Sequence, residues 1–383
     1  MEPQHPIIIA GAGIAGLTLA AGLTRNGRSL LVVERSAGLA NQGAGISLWP
    51  NALSALDTIG LGDAVRSVGG TVSSGGVRRP DGSWIRNVDT SVVEAALGEP
   101  MVAIHRNDLL TILASTLDPS SVRFGASLQS FEVLADGVRV LLGDGSIIDG
   151  CALVGADGIG SVVTKELSPD LVLTYTGYTA WRGVADFDVS DFDPSATWGP
   201  GSEFGLIPLG ADRVYWFATE NTAEGDRSIE GELNHLLGRF SSWHAPIPDV
   251  LRATDPSTVL RHDIHDRSRL RAWSRGPVVV IGDAAHPMRP HLGQGGCQSI
   301  EDGAMLATMI GRQSEPASVF AEFYQRRNGR IRPIVRESAL VGKVIQGEGP
   351  LASLARRLGP RVPLPLMVGR MRAISGRDSF AVE

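Results

Sequence analysis

Cysteine is scarce in this sequence: Cys151 and Cys297 are the only two in 383 residues, and no C-x-x-C spacing occurs. A zinc knuckle or an iron–sulfur cluster therefore lacks ligands, and a reducing cytoplasm suits the chain. There is no G-x-S-x-G, so a serine hydrolase lacks its nucleophile elbow, and no Tyr-x-x-x-Lys pair of the short-chain dehydrogenase type. Internal repeats and disordered runs are absent, and a net charge of −6 gives no reason to expect nucleic acid. The one long uncharged stretch, "PIIIAGAGIAGLTLAAGL" (6–23), is too rich in glycine for a spanning helix. The "MEPQH" before it carries an acid and no Lys or Arg, which is wrong for a signal peptide, so no integral membrane segment is expected.

What is present describes a large globular α/β protein. Apolar residues make up 43% and charged residues 20%, in a chain long enough to bury a large ligand. Residues 6–10 read as a buried strand, 14–26 as a helix and 29–34 as a second strand, a βαβ opening. Residues 71–98 break that rhythm with a Pro-Asp-Gly turn between hairpin strands. A helix restarts at 107–117 with Asn107 as its expected N-cap. Residues 171–269 alternate and are aromatic, which predicts a mainly antiparallel sheet; "PVVVI" then returns to a parallel-type strand, and 297–312 reads as a helix. The expected division is 1–70, 99–170 and 270–330 as one discontinuous Rossmann-like unit, 71–98 and 171–269 as a sheet-rich unit, and 331–383 as C-terminal helices. Residues 322–383 carry 12 Lys/Arg against five Asp/Glu, a local +7. Arg326, Arg327, Arg330, Arg332 and Arg336 are read as the solvated face of a helix rather than as a membrane or phosphate patch.

The first motif with chemical content is "GAGIAG", where Gly11, Gly13 and Gly16 flank Ile14 and Ala15 at the mouth of a helix. The glycines allow a tight turn, close approach of a pyrophosphate and helix–strand packing, while the helix N-terminus offers unpaired N–H groups. Glu34, 18 residues after Gly16 at the end of the second strand, is placed to take ribose hydroxyls. NAD and FAD share that adenosine diphosphate, so the motif admits either. Three later segments bear on the choice. Arg106 precedes a helix in "AIHRNDLL"; Asp157 ends a buried strand in "ALVGADG"; and "GDAAHPMRPHLGQGG" (282–296) sets Asp283 at a strand's C-terminal end, followed by Pro290, Gly293, Gln294, Gly295 and Gly296. Such a backbone can approach a flat ring without side chains intervening.

These segments, in this order and over nearly the whole chain, resemble the single-component FAD-dependent aromatic hydroxylases and epoxidases, the p-hydroxybenzoate hydroxylase-like monooxygenases. The resemblance implies that Gly11, Gly13 and Gly16 hold the FAD pyrophosphate, and that Glu34 with Arg35 holds the adenosine ribose. Arg106 would meet the ribityl-phosphate region and Asp283 the ribityl chain. Asp157 would close over the cofactor, being tied in that family to nicotinamide cofactor use. The 290–296 loop and Gly43, Gly45 and Ile46 would flank the ring. It further implies NADPH or NADH as reductant and O2 as co-substrate. One oxygen atom would be transferred through a C4a-hydroperoxyflavin to an aromatic or polycyclic small molecule. A reductase, dehydrogenase or redox-neutral cyclase of the same fold is the alternative. The chain departs from the family at Thr164, where an arginine is usual, and at His291, where Asn or Asp often stands. His291 is then either a substrate-side residue near the flavin or a loop histidine turned to solvent. Arg182 is placed to meet a substrate carboxylate or an internal acid. Tyr215 is a candidate beside it, and Trp181, Phe204, Leu206, Pro208, Trp216 and Phe217 are read as pocket or core. The urate enzymes of the family are expected to carry an arginine near Glu203, which disfavours urate.

Overall fold

Ile7–Ala10 has no polar residue on either side, so it needs cover on both faces, and it forms an inner strand of a six-stranded sheet. The computed structural model describes residues 5–381 apart from 40–43, 73, 74, 191, 192, 314 and 359–361; Gly43 therefore lies outside the described residues. Parallel pairing sets Ile8 between Leu31 and Leu153. The sheet extends in parallel through Val278–Val280 on one side and Val122–Phe124 on the other, and the short antiparallel strand Ser274–Arg275 closes one edge. Helix Ile14–Arg25 lies against helix Gly295–Arg312, and glycine permits the close approach: a Cβ on Gly22 would sit 2.5 Å from the Ala307 Cβ.

The second sheet has seven strands in the order 260–267, 173–186, 213–221, 202–208, 195–199, 75–78 and 84–88. Its pairs are antiparallel except one: Ser195–Thr197 runs parallel to Gly76–Arg78, which joins the early hairpin to the later strands. Alternation gives the sheet two different faces. Trp181, Phe204, Leu206 and Trp216 point to one side, where helices Glu232–Phe240 and Ile247–Arg252 cover them. These four belong to the core on that side, with Leu206 also bordering a recess there. Opposite residues share a face, so Arg182, Val184, Ile207, Tyr215 and Phe217 line the other side, toward a small three-stranded sheet of 45–48, 101–105 and 70–72.

Several local expectations are corrected. Helix Arg106–Ala114 is capped by His105, whose Nδ1 accepts from Asn107 N–H at 3.3 Å; Asn107 stands inside the helix. The helix Thr90–Leu97, with Asp89 as cap, and the two helices over the sheet were not expected. The arginine stripe is not one solvated face. The long helix Pro316–Gln346 buries Arg327 to 1% exposure, and Arg330 is drawn inward to Glu301 at 2.7 Å.

Candidate functional site

The ends of the parallel strands build the first part of the site. Gly11 has φ +108 and carries the chain out of its strand, and a Cβ on Gly16 would sit 2.0 Å from the Gly11 carbonyl oxygen. A Cβ on Gly13 would meet nothing within 4 Å, so that glycine faces open space at the mouth of the helix. Ile14 and Ala15 are buried, Ala15 beneath Gly282. Glu34 Oε2 accepts from Ala12 N–H at 2.8 Å and Oε1 from Ser36 N–H at 2.9 Å, which fixes the carboxylate beside the glycine turn with acceptor capacity left for a diol. Arg35 is exposed next to it.

Around the neighbouring strand ends lies a group of charges that no partner among the described residues satisfies. Asp157 Oδ2 accepts from Val162 N–H at 2.7 Å, yet its buried Oδ1 has no partner, and burial raises its pKa above the usual carboxylate range. Arg267 gives one N–H to the Ala285 carbonyl at 2.7 Å and leaves Nε and Nη1 buried without partners; desolvation depresses its pKa to about 10, against the pull of Asp283 and Asp157. Arg106 is lowered likewise by burial, with Asp283 opposing, and Arg182 and Tyr215 are its other neighbours. Unpaired buried polar atoms cost free energy, and several at one place mark a site completed by a ligand. Sequence reading passed over Arg267, which sits in an alternating strand with no motif around it. Thr164 Oγ1 donates to the Ala284 carbonyl at 2.7 Å and so ties its helix to the Asp283 turn.

The loop after Asp283 and the strand Gly45–Leu48 approach each other closely through glycines. A Cβ on Gly296 would lie 2.5 Å from Ile46 Cδ1, one on Gly45 2.4 Å from the Tyr215 ring, and one on Gly293 (φ +61) 3.1 Å from Trp49 Nε1, which is itself buried and unpartnered. Gly295 approaches Met288, and Pro290 opens the 3₁₀ turn Pro290–Leu292. Gln294 differs from expectation: its side chain is 1% exposed and bonded to Asn51, Gln298 and Ser375, so only its backbone is free to meet a cofactor.

On the sheet face, Tyr215 is buried beside Arg182 and Arg106, and burial raises its pKa above the ordinary phenol value. Arg182 has no carboxylate within salt-bridge distance among the described residues, which removes the internal ion pair as its explanation. His262 lies near both arginines, and burial lowers its pKa. His291 is not turned to solvent. Its side chain is fully buried, Nδ1 lies 3.0 Å from Glu203 Oε2, and Nε2 lies 3.1 Å from the Tyr178 hydroxyl. Glu203 also accepts from Trp198 Nε1 at 2.9 Å, and a Cβ on Gly342 would press on the ring. His291 thus bolts the loop to the sheet in a cluster separate from Arg182 and Tyr215. His286 pairs with Asp302 at 2.6 Å and is part of the core. A recess of about 490 Å³, lined by Arg78, Leu206 and His244 among others, contains none of these residues.

A glycine turn on a helix N-terminus, an acid for a ribose, unsatisfied charges beyond it and a glycine-lined loop beneath a second sheet define a flavin-dependent oxidoreductase fold. The comparisons give the family. The FAD binding domain family matches residues 4–332, and the chain belongs to it. Aurachin C monooxygenase/isomerase of Stigmatella aurantiaca is 40% identical over 358 residues, 93% of this chain and 94% of that protein. The 2-heptyl-3-hydroxy-4(1H)-quinolone synthase of Pseudomonas aeruginosa is 33% identical, covering 90% of each chain. Zeaxanthin epoxidase of Prunus armeniaca is 33% identical, and there the match spans 59% of the longer protein. In structure, Klebsiella pneumoniae HpxO complexed with FAD and uric acid superimposes with a TM-score of 0.90 at 27% identity over 97% of each chain. The chain is an FAD-dependent monooxygenase.

Proposed function

We propose that the enzyme consumes NADPH or NADH and O2 to place one oxygen atom on an electron-rich, bicyclic heteroaromatic small molecule that carries an apolar tail. The observation that carries the cofactor reading is the set of buried unpartnered atoms at Asp157 and Arg267, next to Arg106 and Asp283, at the ends of the parallel strands. They fit FAD: Gly11, Gly13 and Gly16 hold the pyrophosphate, and Glu34 with Arg35 holds the adenosine ribose. Arg106, Asp157, Arg267 and Asp283 serve the ribityl-phosphate region. Gly45, Ile46, Pro290, Gly293, Gly295, Gly296 and the backbone of Gln294 flank the ring. When bound and reduced, the flavin supplies the oxygen-transfer chemistry.

The protein supplies placement and dryness. The N-terminus of helix Gly295–Arg312 would offer N–H groups and a positive dipole end to a bound flavin. Tyr215, kept protonated by burial, and Arg182, lacking an acid partner, form a donor pair for an anionic or carbonyl oxygen of the substrate. His291, with both ring nitrogens occupied, holds the loop in register and passes a proton only by way of Tyr178 or Glu203. In this reading residues 1–70, 99–170 and 270–330 act as the FAD unit, and 71–98 with 171–269 as the substrate unit. The substrate class follows the name of one relative, the 2-heptyl-3-hydroxy-4(1H)-quinolone synthase, which matches over 90% of the chain.

The test is NAD(P)H oxidation by the yellow, purified enzyme with 2-alkyl-4-quinolones, phenols and indoles in turn, with mass spectrometry of the products. The expected result is quinolone-stimulated, O2-dependent turnover and a product heavier by one oxygen. Stimulated turnover without O2, or a product of unchanged oxygen content, refutes oxygen transfer and leaves a reductase or cyclase.

A further inference from the structure

The C-terminal segment turns its apolar side outward. Among the described residues, seven of the fifteen exposed large apolar side chains fall at 340–358 and 362–366. On helix Pro350–Leu358, Leu351 is 83% exposed, Leu354 51% and Leu358 48%, at spacings of three and four residues that put them on one face. The opposite face is the one packed on the protein. Ala352 approaches Gly347, and Arg356 gives its guanidinium to the carbonyls of Val344, Ile345 and Gly347 at the end of the long helix. A surface helix ordinarily faces water with its polar side, so this one is built for an apolar neighbour.

Charge indicates which neighbour. The outward stripe of the adjoining long helix carries Arg332, Arg336 and Lys343 around Leu340, itself 60% exposed. None of these three cations has an acid partner among the described residues. A symmetric pair of chains using this face would bring the cations onto one another, which opposes self-association. An anionic bilayer surface satisfies both features at once, taking leucines at the headgroup boundary and cations against phosphate.

The segment also borders the cleft. Asn221, at the end of a substrate-sheet strand, donates to the Gln346 carbonyl at 2.9 Å and to Glu348 at 2.8 Å, and Gln346 donates to Thr219 at 2.5 Å. Farther along, Arg86 holds the Val362 carbonyl at 2.8 Å, and Ser375 meets Gln294 in the flavin loop at 2.9 Å. The strap thus runs from the substrate sheet to the cofactor loop.

We propose that residues 340–358 and 362–366 dock the enzyme on the surface of an anionic lipid bilayer, beside the mouth of its cleft. Uptake of a tailed substrate from that bilayer is a consequence that rests on the functional reading above; the docking itself does not. The test is co-flotation of the flavin-loaded enzyme with vesicles of phosphatidylcholine, with and without phosphatidylglycerol. The expected result is flotation with the anionic vesicles only, weakened by salt, and reduced about tenfold or more by Leu351→Glu with Leu354→Glu. The double variant should keep its flavin and its melting temperature. Failure to float with anionic vesicles, equal flotation with neutral ones, or equal flotation of the double variant overturns the proposal. A concentration-dependent dimer that the double variant dissolves assigns the face to a second copy instead. Flotation of an enzyme that fails the turnover test would sink the functional reading alone.

Discussion

Replacing Arg327 by methionine should remove the cation at the centre of a buried ionic cluster and strand two carboxylates. Arg327 donates to Asp302 at 2.6 Å and to Gln298 Oε1 at 2.8 Å, and it contacts Glu301 as well; both acids are fully buried. Methionine keeps most of the volume, so the cavity contribution is small and the loss is electrostatic. Breaking one side of a buried pair costs about 3–5 kcal/mol, because the remaining charge cannot regain water. Arg330 still faces Glu301 at 2.7 Å and His286 still faces Asp302 at 2.6 Å, which argues for the lower end. At roughly 2 °C per kcal/mol or less in a chain of this length, about 3 kcal/mol lowers the melting temperature by about 6 °C. Urea unfolding of the flavin-loaded enzyme, followed by near-ultraviolet circular dichroism, measures the loss. Adding Asp302→Asn to Arg327→Met should recover part of it. A loss below about 1 kcal/mol, without recovery in the double variant, would refute the account of this cluster.

Two further perturbations separate cofactor binding from folding and test the acid limit. Gly16→Val should lower both flavin content and melting temperature, since its Cβ would sit 2.0 Å from the Gly11 carbonyl, whereas Gly13→Val, with nothing within 4 Å, should lose flavin while the flavin-free protein melts as the parent does; equal effects in both assays would count against the open space at Gly13 as the pyrophosphate site. Asp302 is the clearest source of pH dependence. Buried beside His286 and Arg327, its carboxyl is held at about 2 against an ordinary 3.8, so it stabilises the fold above about pH 4 and that contribution disappears as the pH falls toward 2. The shift corresponds to about 2 kcal/mol, and Asp302→Asn should flatten the acid limb of a stability–pH curve; an unchanged limb would assign acid unfolding to other groups.

The parts of the molecule legible in the sequence are those fixed by local rules. Ile7–Ala10, the glycine turn and Glu34 declare themselves because a buried parallel strand and a pyrophosphate turn leave few choices of residue at fixed offsets. The alternating aromatics announced a sheet, but not which side met the cleft; that depends on where two helices with no strong sequence signal come to lie over it. Arg327 was misread because a helical stripe of arginines looks solvated until the acids Glu301 and Asp302 of another helix are brought opposite, a contact made across 25 residues. Arg267 stayed hidden for the complementary reason: only the fold shows that its guanidinium is buried without enough partners. His291 stood out as a departure from relatives, yet its partners Glu203 and Tyr178 lie 88 and 113 residues away, so its role as a bolt was out of reach.

The parallel pairing of Ser195–Thr197 with Gly76–Arg78 bears on how this chain is made. A ribosome delivers residues in order, and the early hairpin waits for more than a hundred further residues before its partner strand arrives. Strand Val278–Val280 likewise joins its sheet only after the whole second sheet has been synthesised. Neither half can finish before the other has begun, so contacts distant in sequence govern assembly, and folding should be slow and concerted rather than stepwise along the chain. Gene fragments cut at the apparent unit boundaries will yield incomplete sheets with open edges, whereas a fusion that carries 75–88 directly onto 171–269 restores the missing edge.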